Sequence, residues 1–212
     1  MLLIDTDMLV LLVASGKLEQ VAEQLGYDAD QVRRLPAAIH QVRKSRSFRN
    51  NYGETVLQQI APVIEGIPEV EAPEDEDLLD TLGDVVDEGE ALLMAIAATS
   101  DSTLLVSGDK RAIGDLAGSE QAEACVQALQ GRIVTLEAVL WILVNELGGE
   151  VVKTDFTPVM GHKTLRIVLS AHAAADDQRC LGGIRSYFVD TARAARGLLF
   201  NPSPDVLGFG DE

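Results

Sequence analysis

Three short stretches of the chain carry acids in places where carboxylates can do chemistry. Residues 5–7 (Asp-Thr-Asp) and 107–109 (Ser-Gly-Asp) each follow an apolar run, and residues 87–90 (Asp-Glu-Gly-Glu) precede an apolar helix. Any one of these acids has an ordinary explanation as a helix cap or a turn residue. Brought together, they would repel one another and take up protons unless a cation neutralised them. Carboxylate oxygens suit Mg²⁺ or Mn²⁺, so the pattern predicts a metal site for phosphate-ester hydrolysis.

The middle stretch allows two interpretations. Asp87 followed by Glu90 three residues later is the pattern of a capping box. The segment Ala91–Ala97 that follows is apolar nearly all round and should be buried. It would carry Glu90 into the interior, where an unpaired carboxylate is costly. A cation shared with Asp5 and Asp109 would remove that cost.

Short apolar strands alternate with helical patterns along the first 150 residues. The predicted strands are Leu2–Ile4, Leu104–Val106 and Ile133–Leu136. The alternation of strands and helices indicates a parallel sheet in an α/β fold. Ligands collect at the carboxyl ends of such strands. Asp5 and Asp109 lie just beyond two of those ends.

The length and composition predict a globular protein with one domain and a helical extension. We expect an α/β domain over residues 1–150 and a helical C-terminal extension and tail over 151–212. With 47% hydrophobic residues, the chain is not of the disordered class. No apolar run approaches the ~20 residues of a membrane span, and no secretory signal is visible. Cys125 and Cys180 lack a C-x-x-C spacing, so we expect a reduced, cytoplasmic protein that does not bind a membrane.

Charge is unevenly distributed. The net charge of −17 argues against non-specific binding of nucleic acid. Residues 65–90 contain twelve acids and no base, whereas residues 31–50 contain six Lys or Arg and no acid. Each block has an ordinary interpretation as a solvated surface. The alternative for the basic block is a contact with a polyanion or an acidic partner. The basic residues predicted to contact nucleic acid are Arg43, Lys44, Arg46 and Arg49.

These motifs together resemble the PIN-domain family of metal-dependent ribonucleases. Leu3–Leu9 is similar to the family's opening strand and first metal acid, and Asp87–Ala91 resembles the D-x-G-E-A helix start of one PIN branch. Leu104–Ala112 resembles the late strand and closing metal acid. Ile133–Gly149 resembles the last strand and helix, so the likeness covers roughly residues 1–150.

The resemblance implies a three-layer α/β/α sandwich around a mostly parallel sheet and hydrolysis of RNA phosphodiesters. Asp5, Glu90 and Asp109 would then be the catalytic residues and the ligands of Mg²⁺ or Mn²⁺. The protein would be a toxin or an RNA-processing enzyme that binds RNA, with an antitoxin, another protein or a second copy of itself as further partners. The residues that would support the metal acids are Thr6, Asp7, Asp87 and Ser107.

One departure from the family pattern leaves a first alternative open. The family usually places a Glu on the helix after the second strand, but residues 36–44 contain no acid, and His40 or Gln41 takes that place. The chain could therefore be a catalytically degenerate PIN-like interaction module. The helices after Gly149 would then form its partner surface.

A second alternative is a phosphohydrolase of the haloacid-dehalogenase type. Its signature opens with D-x-D after a strand, as in residues 5–7, and it uses a Gly-Asp at the end of a later strand, as in residues 108–109. Against it, Met8-Leu9 replaces the usual Gly-Thr.

Overall fold

The computed structural model describes residues 1–73, 75–172 and 177–207. In these ranges the chain forms an α/β fold with one parallel sheet and fourteen α-helices. None of the described helices has both the length and the apolar character needed to cross a membrane. The strands are β1 (Leu2–Ile4), β2 (Val32–Arg34), β3 (Leu104–Val106) and β4 (Ile133–Val134).

All four strands are parallel, in the order β2-β1-β3-β4. From β1 the chain moves to one side of the sheet to form β2, and it later crosses to the other side to form β3 and β4. The direction of winding therefore reverses between β1 and β3. Right-handed crossovers in such a sheet place helices on both faces, which is consistent with three layers. The reversal also opens a crevice at the carboxyl ends of these two strands.

Ten helices accompany the sheet. They cover both the connections between strands and the segment that follows β4. They are α1 (Thr6–Ala14), α2 (Leu18–Gln24), α3 (Ala38–Lys44), α4 (Arg46–Tyr52), α5 (Glu54–Gly66), α6 (Glu76–Gly83), α7 (Glu88–Ala98), α8 (Lys110–Gly118), α9 (Glu123–Ala128) and α10 (Leu136–Leu147).

The region after α10 is helical in the described residues and packs against the helices that accompany the sheet. Ile184 and Phe188 of helix α13 (Asp177–Ala194) are buried, and this helix packs against α10. The Phe200 N–H donates to the Ile133 carbonyl at 2.8 Å, so the chain after α13 returns to the edge of β4. The end of the tail, residues 208–212, lies outside the described ranges. The helices here are α11 (Gly149–Asp155), α12 (Lys163–His172), α13 (Asp177–Ala194) and α14 (Pro204–Leu207).

Strand β2 has no counterpart among the predicted strands. Its sequence is Val-Arg-Arg, which lacks an apolar run. Arg34 is nevertheless buried, because its guanidinium donates to the Ile64 carbonyl at 2.9 Å and pairs with Glu69 at 3.0 Å. A buried arginine held by tertiary partners leaves no local signal in the sequence.

Candidate functional site

A cavity of about 490 Å³ lies where β1 and β3 end. It is bounded by the segments that follow these strands, by the first turn of α7, and by parts of α3, α4 and the C-terminal region. Asp5, Glu90 and Asp109, the three predicted metal ligands, all line it. Of the four predicted supporting residues, Thr6, Asp7 and Asp87 line it as well.

Asp5 joins the ends of the two central strands. It is the N-cap of α1. Its Oδ1 accepts a hydrogen bond from the Met8 N–H at 2.7 Å, and its Oδ2 accepts one from the Gly108 N–H at 2.9 Å. The residue is only 8% exposed.

Burial raises the pKa of Asp5 from its ordinary value to about 6. The hydrogen bonds from Met8, Gly108 and Ser107 lower this pKa, but desolvation of the carboxylate is the larger effect, and the nearby charge of Asp7 adds to it. At pH 7 the carboxylate is still the main form, so Asp5 is able to bind a cation.

Ionisation of Asp5 should lower the stability of the metal-free protein. Since its pKa is 3.8 when unperturbed and about 6 in the fold, the folded state binds the proton more tightly than the unfolded state. The free energy of unfolding should therefore fall as the pH rises from about 4 to about 6, by roughly 3 kcal/mol. Urea unfolding in EDTA at several pH values, for the wild type and for Asp5→Asn, measures the contribution of Asp5 to the pH dependence of stability. Equal pH slopes for the two proteins would contradict it.

Glu90 does not close a capping box. Asp87 caps α7 as predicted, with its Oδ1 accepting from the N–H groups of Gly89 at 3.0 Å and Glu90 at 3.1 Å. Glu90 instead lines the cavity, and its Oε2 is buried and has no hydrogen-bond partner among the described residues. A buried carboxylate oxygen in this state is costly, so it calls for a ligand.

Asp109 is held by its own helix. It caps α8, and its Oδ1 accepts from the N–H groups of Arg111 and Ala112, both at 2.9 Å. Both bonds use the same oxygen, which leaves Oδ2 for a ligand at the cavity. The predicted supporting residue Ser107 is buried behind it, and its hydroxyl accepts from the Asp109 N–H at 3.2 Å.

The donor set fits a hard divalent cation in its chemistry. Carboxylate oxygens are the ligands that Mg²⁺ and Mn²⁺ prefer, and Oε2 of Glu90 lacks a partner. Across residues 1–73, 75–172 and 177–207, however, no three His, Cys, Asp or Glu side chains already stand at the spacing of a metal site. The acids share a cavity, and binding a cation would require their side chains to turn toward one another.

Of His40 and Gln41, the two residues found where the resemblance implies an acid, only Gln41 lines the cavity. Gln41 lines the cavity from α3, while His40 on the same helix is exposed and does not line it. A neutral amide oxygen can bind a cation, but it adds no charge to the site. Helix α3 therefore contributes no negative charge to the cavity.

Apart from Leu35, four residues that line the cavity had no role predicted from the sequence. Lys110 follows Asp109 directly, and its Nζ lies 2.6 Å from Oε1 of Glu137, which is 1% exposed. Phe48 lines the wall formed by α4, and His162 and Thr164 come from the C-terminal region. Lys110 could have been noticed as a neighbour of a candidate ligand, whereas the other three lie in segments without a motif.

The predicted nucleic-acid contacts do not line this cavity. Arg43 pairs with Glu65 at 2.6 Å, and Arg49 donates to the Lys44 carbonyl at 3.1 Å. Arg43 and Arg49 border a separate cavity against α5, of about 220 Å³. Lys44 and Arg46 are exposed. Contact of this group with RNA stays a prediction.

Comparisons with protein-family models, with curated proteins and with solved structures each found no match.

Proposed function

We propose that this protein is a PIN-like, divalent-metal-dependent ribonuclease that hydrolyses RNA phosphodiesters at Asp5, Glu90 and Asp109. The main support is that these acids come from three distant stretches of the chain and line one cavity. That cavity lies at the switch point of a parallel sheet, where α/β proteins bind their ligands. A role as a toxin or in RNA processing would use the same chemistry.

The roles of the side chains follow from their surroundings. Asp5, Glu90 and Asp109 would hold the cation, which when bound supplies a water of lowered pKa and neutralises charge on the phosphate. Backbone N–H groups keep Asp5 at the junction of the two strands. Lys110 has three N–H bonds, so its pairing with Glu137 leaves donors for a phosphate oxygen at the cavity.

Glu90→Gln tests the proposal at the acid that has no partner. We expect wild type to bind Mn²⁺ in calorimetry and to cleave a fluorescent single-stranded RNA with Mn²⁺ but not with EDTA. Glu90→Gln removes a charged ligand and should weaken Mn²⁺ binding by ~10-fold or more, with a matching loss of cleavage. Glu88→Gln is the control, because Glu88 is exposed in the same turn of α7 and does not line the cavity.

The interaction module is the second candidate, and one observation favours it. The carboxylates share a cavity, but no trio in the described residues stands at metal spacing. A folded wild-type protein that neither binds Mn²⁺ nor cleaves RNA would overturn the ribonuclease and leave the module. The phosphohydrolase stays a prediction, which trapping of a phospho-aspartate with a fluoride analogue would test.

A further inference from the structure

The C-terminal region forms part of the wall of the carboxylate cavity. His162 and Thr164 line the cavity beside Asp7. The segment that carries them is anchored by Phe156 and Val159, which are fully buried. Residues of the C-terminal extension thus face the same space as the acids of the sheet domain.

The position of this wall depends on a close approach between the backbone at Gly161 and the backbone of α4. A Cβ atom at Gly161 would lie 2.5 Å from the backbone oxygen of Asn51 in α4. Any larger residue would push the segment away from α4 and move the adjacent His162. The glycine therefore determines how near the imidazole ring lies to the cavity.

The carboxylate of Asp7 contacts the His162 ring, and the hydroxyl of Tyr52 in turn holds that carboxylate. Nε2 of the ring lies 3.5 Å from Oδ2 of Asp7, and the hydroxyl of Tyr52 donates to Oδ1 of the same carboxylate at 2.6 Å. A separation of 3.5 Å is at the outer limit of a hydrogen bond. The other ring nitrogen, Nδ1, is buried and has no partner within the described part of the chain. The His162 side chain is 23% exposed and lines the cavity, and its one contact with Asp7 is weak enough for a ligand to replace.

A phosphate that enters this cavity needs donors, because five of the lining residues are acids: Asp5, Asp7, Asp87, Glu90 and Asp109. Besides Lys110, the C-terminal wall supplies the imidazole of His162 and the hydroxyl of Thr164. Imidazole and hydroxyl groups are both suitable donors to phosphate oxygens.

We propose that His162, assisted by Thr164, binds a non-bridging phosphate oxygen of the substrate, so that the functional site includes the C-terminal region. His162 is then a substrate-binding residue, and Asp7 and Tyr52 are positioning residues that orient its ring. The identity of the substrate as a phosphodiester rests on the proposed function. The presence of an anion site at His162 does not.

Nuclear magnetic resonance of the ¹⁵N-histidine-labelled full chain tests the anion site directly. The sequence has three histidines, His40, His162 and His172, so the spectrum is simple, and the variant His162→Asn assigns the signal. Titration with inorganic phosphate in the presence of Mg²⁺ should shift the His162 ring signals. His40, which is exposed on α3 and away from the cavity, is the internal control. Unchanged His162 signals in a folded protein would overturn the proposal.

Kinetics test the same site with RNA. We expect His162→Ala to raise the KM for RNA about tenfold, the effect of losing a charge-assisted hydrogen bond, while Mn²⁺ affinity is unchanged. His162→Gln keeps a donor and should recover part of the loss. Gly161→Ala should raise KM in the same direction, whereas Gly182→Ala in α13, where an added Cβ meets no atom within 4 Å, should not.

The two proposals fail in different ways. An unchanged KM in His162→Ala, in a protein whose cleavage still depends on Asp5, would overturn the role of His162 and keep the ribonuclease. A phosphate-dependent shift of His162 in a protein that never cleaves RNA would overturn the ribonuclease and support the anion site.

Discussion

Asp5→Asn should abolish Mn²⁺-dependent cleavage of RNA, with a fall in kcat of about 10³-fold or more. Asp5 is the acid most firmly held at the junction of β1 and β3, because both of its oxygens accept backbone hydrogen bonds. An amide in its place lacks the charge that binds the cation. It also turns an NH₂ group toward the N–H of Met8 or Gly108, where two donors would face each other. Calorimetry with Mn²⁺ and single-turnover cleavage of RNA measure the two losses separately.

The control for this variant is a carboxylate outside the cavity. Asp80 is exposed on α6, within the acidic block, and it does not line the cavity. Asp80→Asn removes the same unit of charge and should leave Mn²⁺ affinity and kcat unchanged. If Asp5→Asn and Asp80→Asn had the same small effect, general electrostatics rather than a metal site would explain any Mn²⁺ dependence.

Lys110→Met should lower the free energy of unfolding by about 3 kcal/mol. Lys110 is 38% exposed, but its partner Glu137 is 1% exposed on the first turn of α10. Removing the ammonium group leaves a buried carboxylate without its counter-charge. The ammonium also lies 5.3 Å from the centre of the Tyr187 ring, so the variant loses a cation–π contact with α13. Urea unfolding monitored by circular dichroism measures the change.

Two further variants distinguish the effect of breaking the buried Lys110–Glu137 pair from the effect of losing one positive charge. Lys110→Met combined with Glu137→Met removes both members and should recover most of the stability, since a buried pair replaced by apolar residues is often neutral. Arg111→Met removes the neighbouring base, whose 3.5 Å pair with Asp115 is exposed, and should change stability by less than about 1 kcal/mol. A Lys110→Met effect as small as that of Arg111→Met would contradict the buried-pair account.

Lys110 also shows why the C-terminal helices belong to the same folded unit as the cavity. It follows the candidate ligand Asp109, pairs with Glu137 of α10, and lies over Tyr187 of α13. Loss of this side chain should therefore loosen the packing of α13 together with one wall of the cavity. Variants that test stability at Lys110 and variants that test RNA binding at the cavity therefore alter the same folded unit.

The elements with local signals could be predicted from the amino-acid sequence. The apolar runs of β1 and β3 and the apolar helix α7 with its cap Asp87 were predicted correctly, because strand burial and helix capping depend on neighbouring residues. Since parallel strands place their carboxyl ends at one edge, the sequence also predicted that Asp5 and Asp109 would lie near each other.

Only the tertiary structure decided where the side chains point and what surrounds them. Glu90 could have folded back onto its own helix, and its place at the cavity follows from how α7 packs beside the sheet. Strand β2, the Lys110–Glu137 pair and the approach of Gly161 to Asn51 each depend on residues far apart in the chain. Such contacts form because packing brings distant segments together, and no pattern of neighbouring residues encodes them.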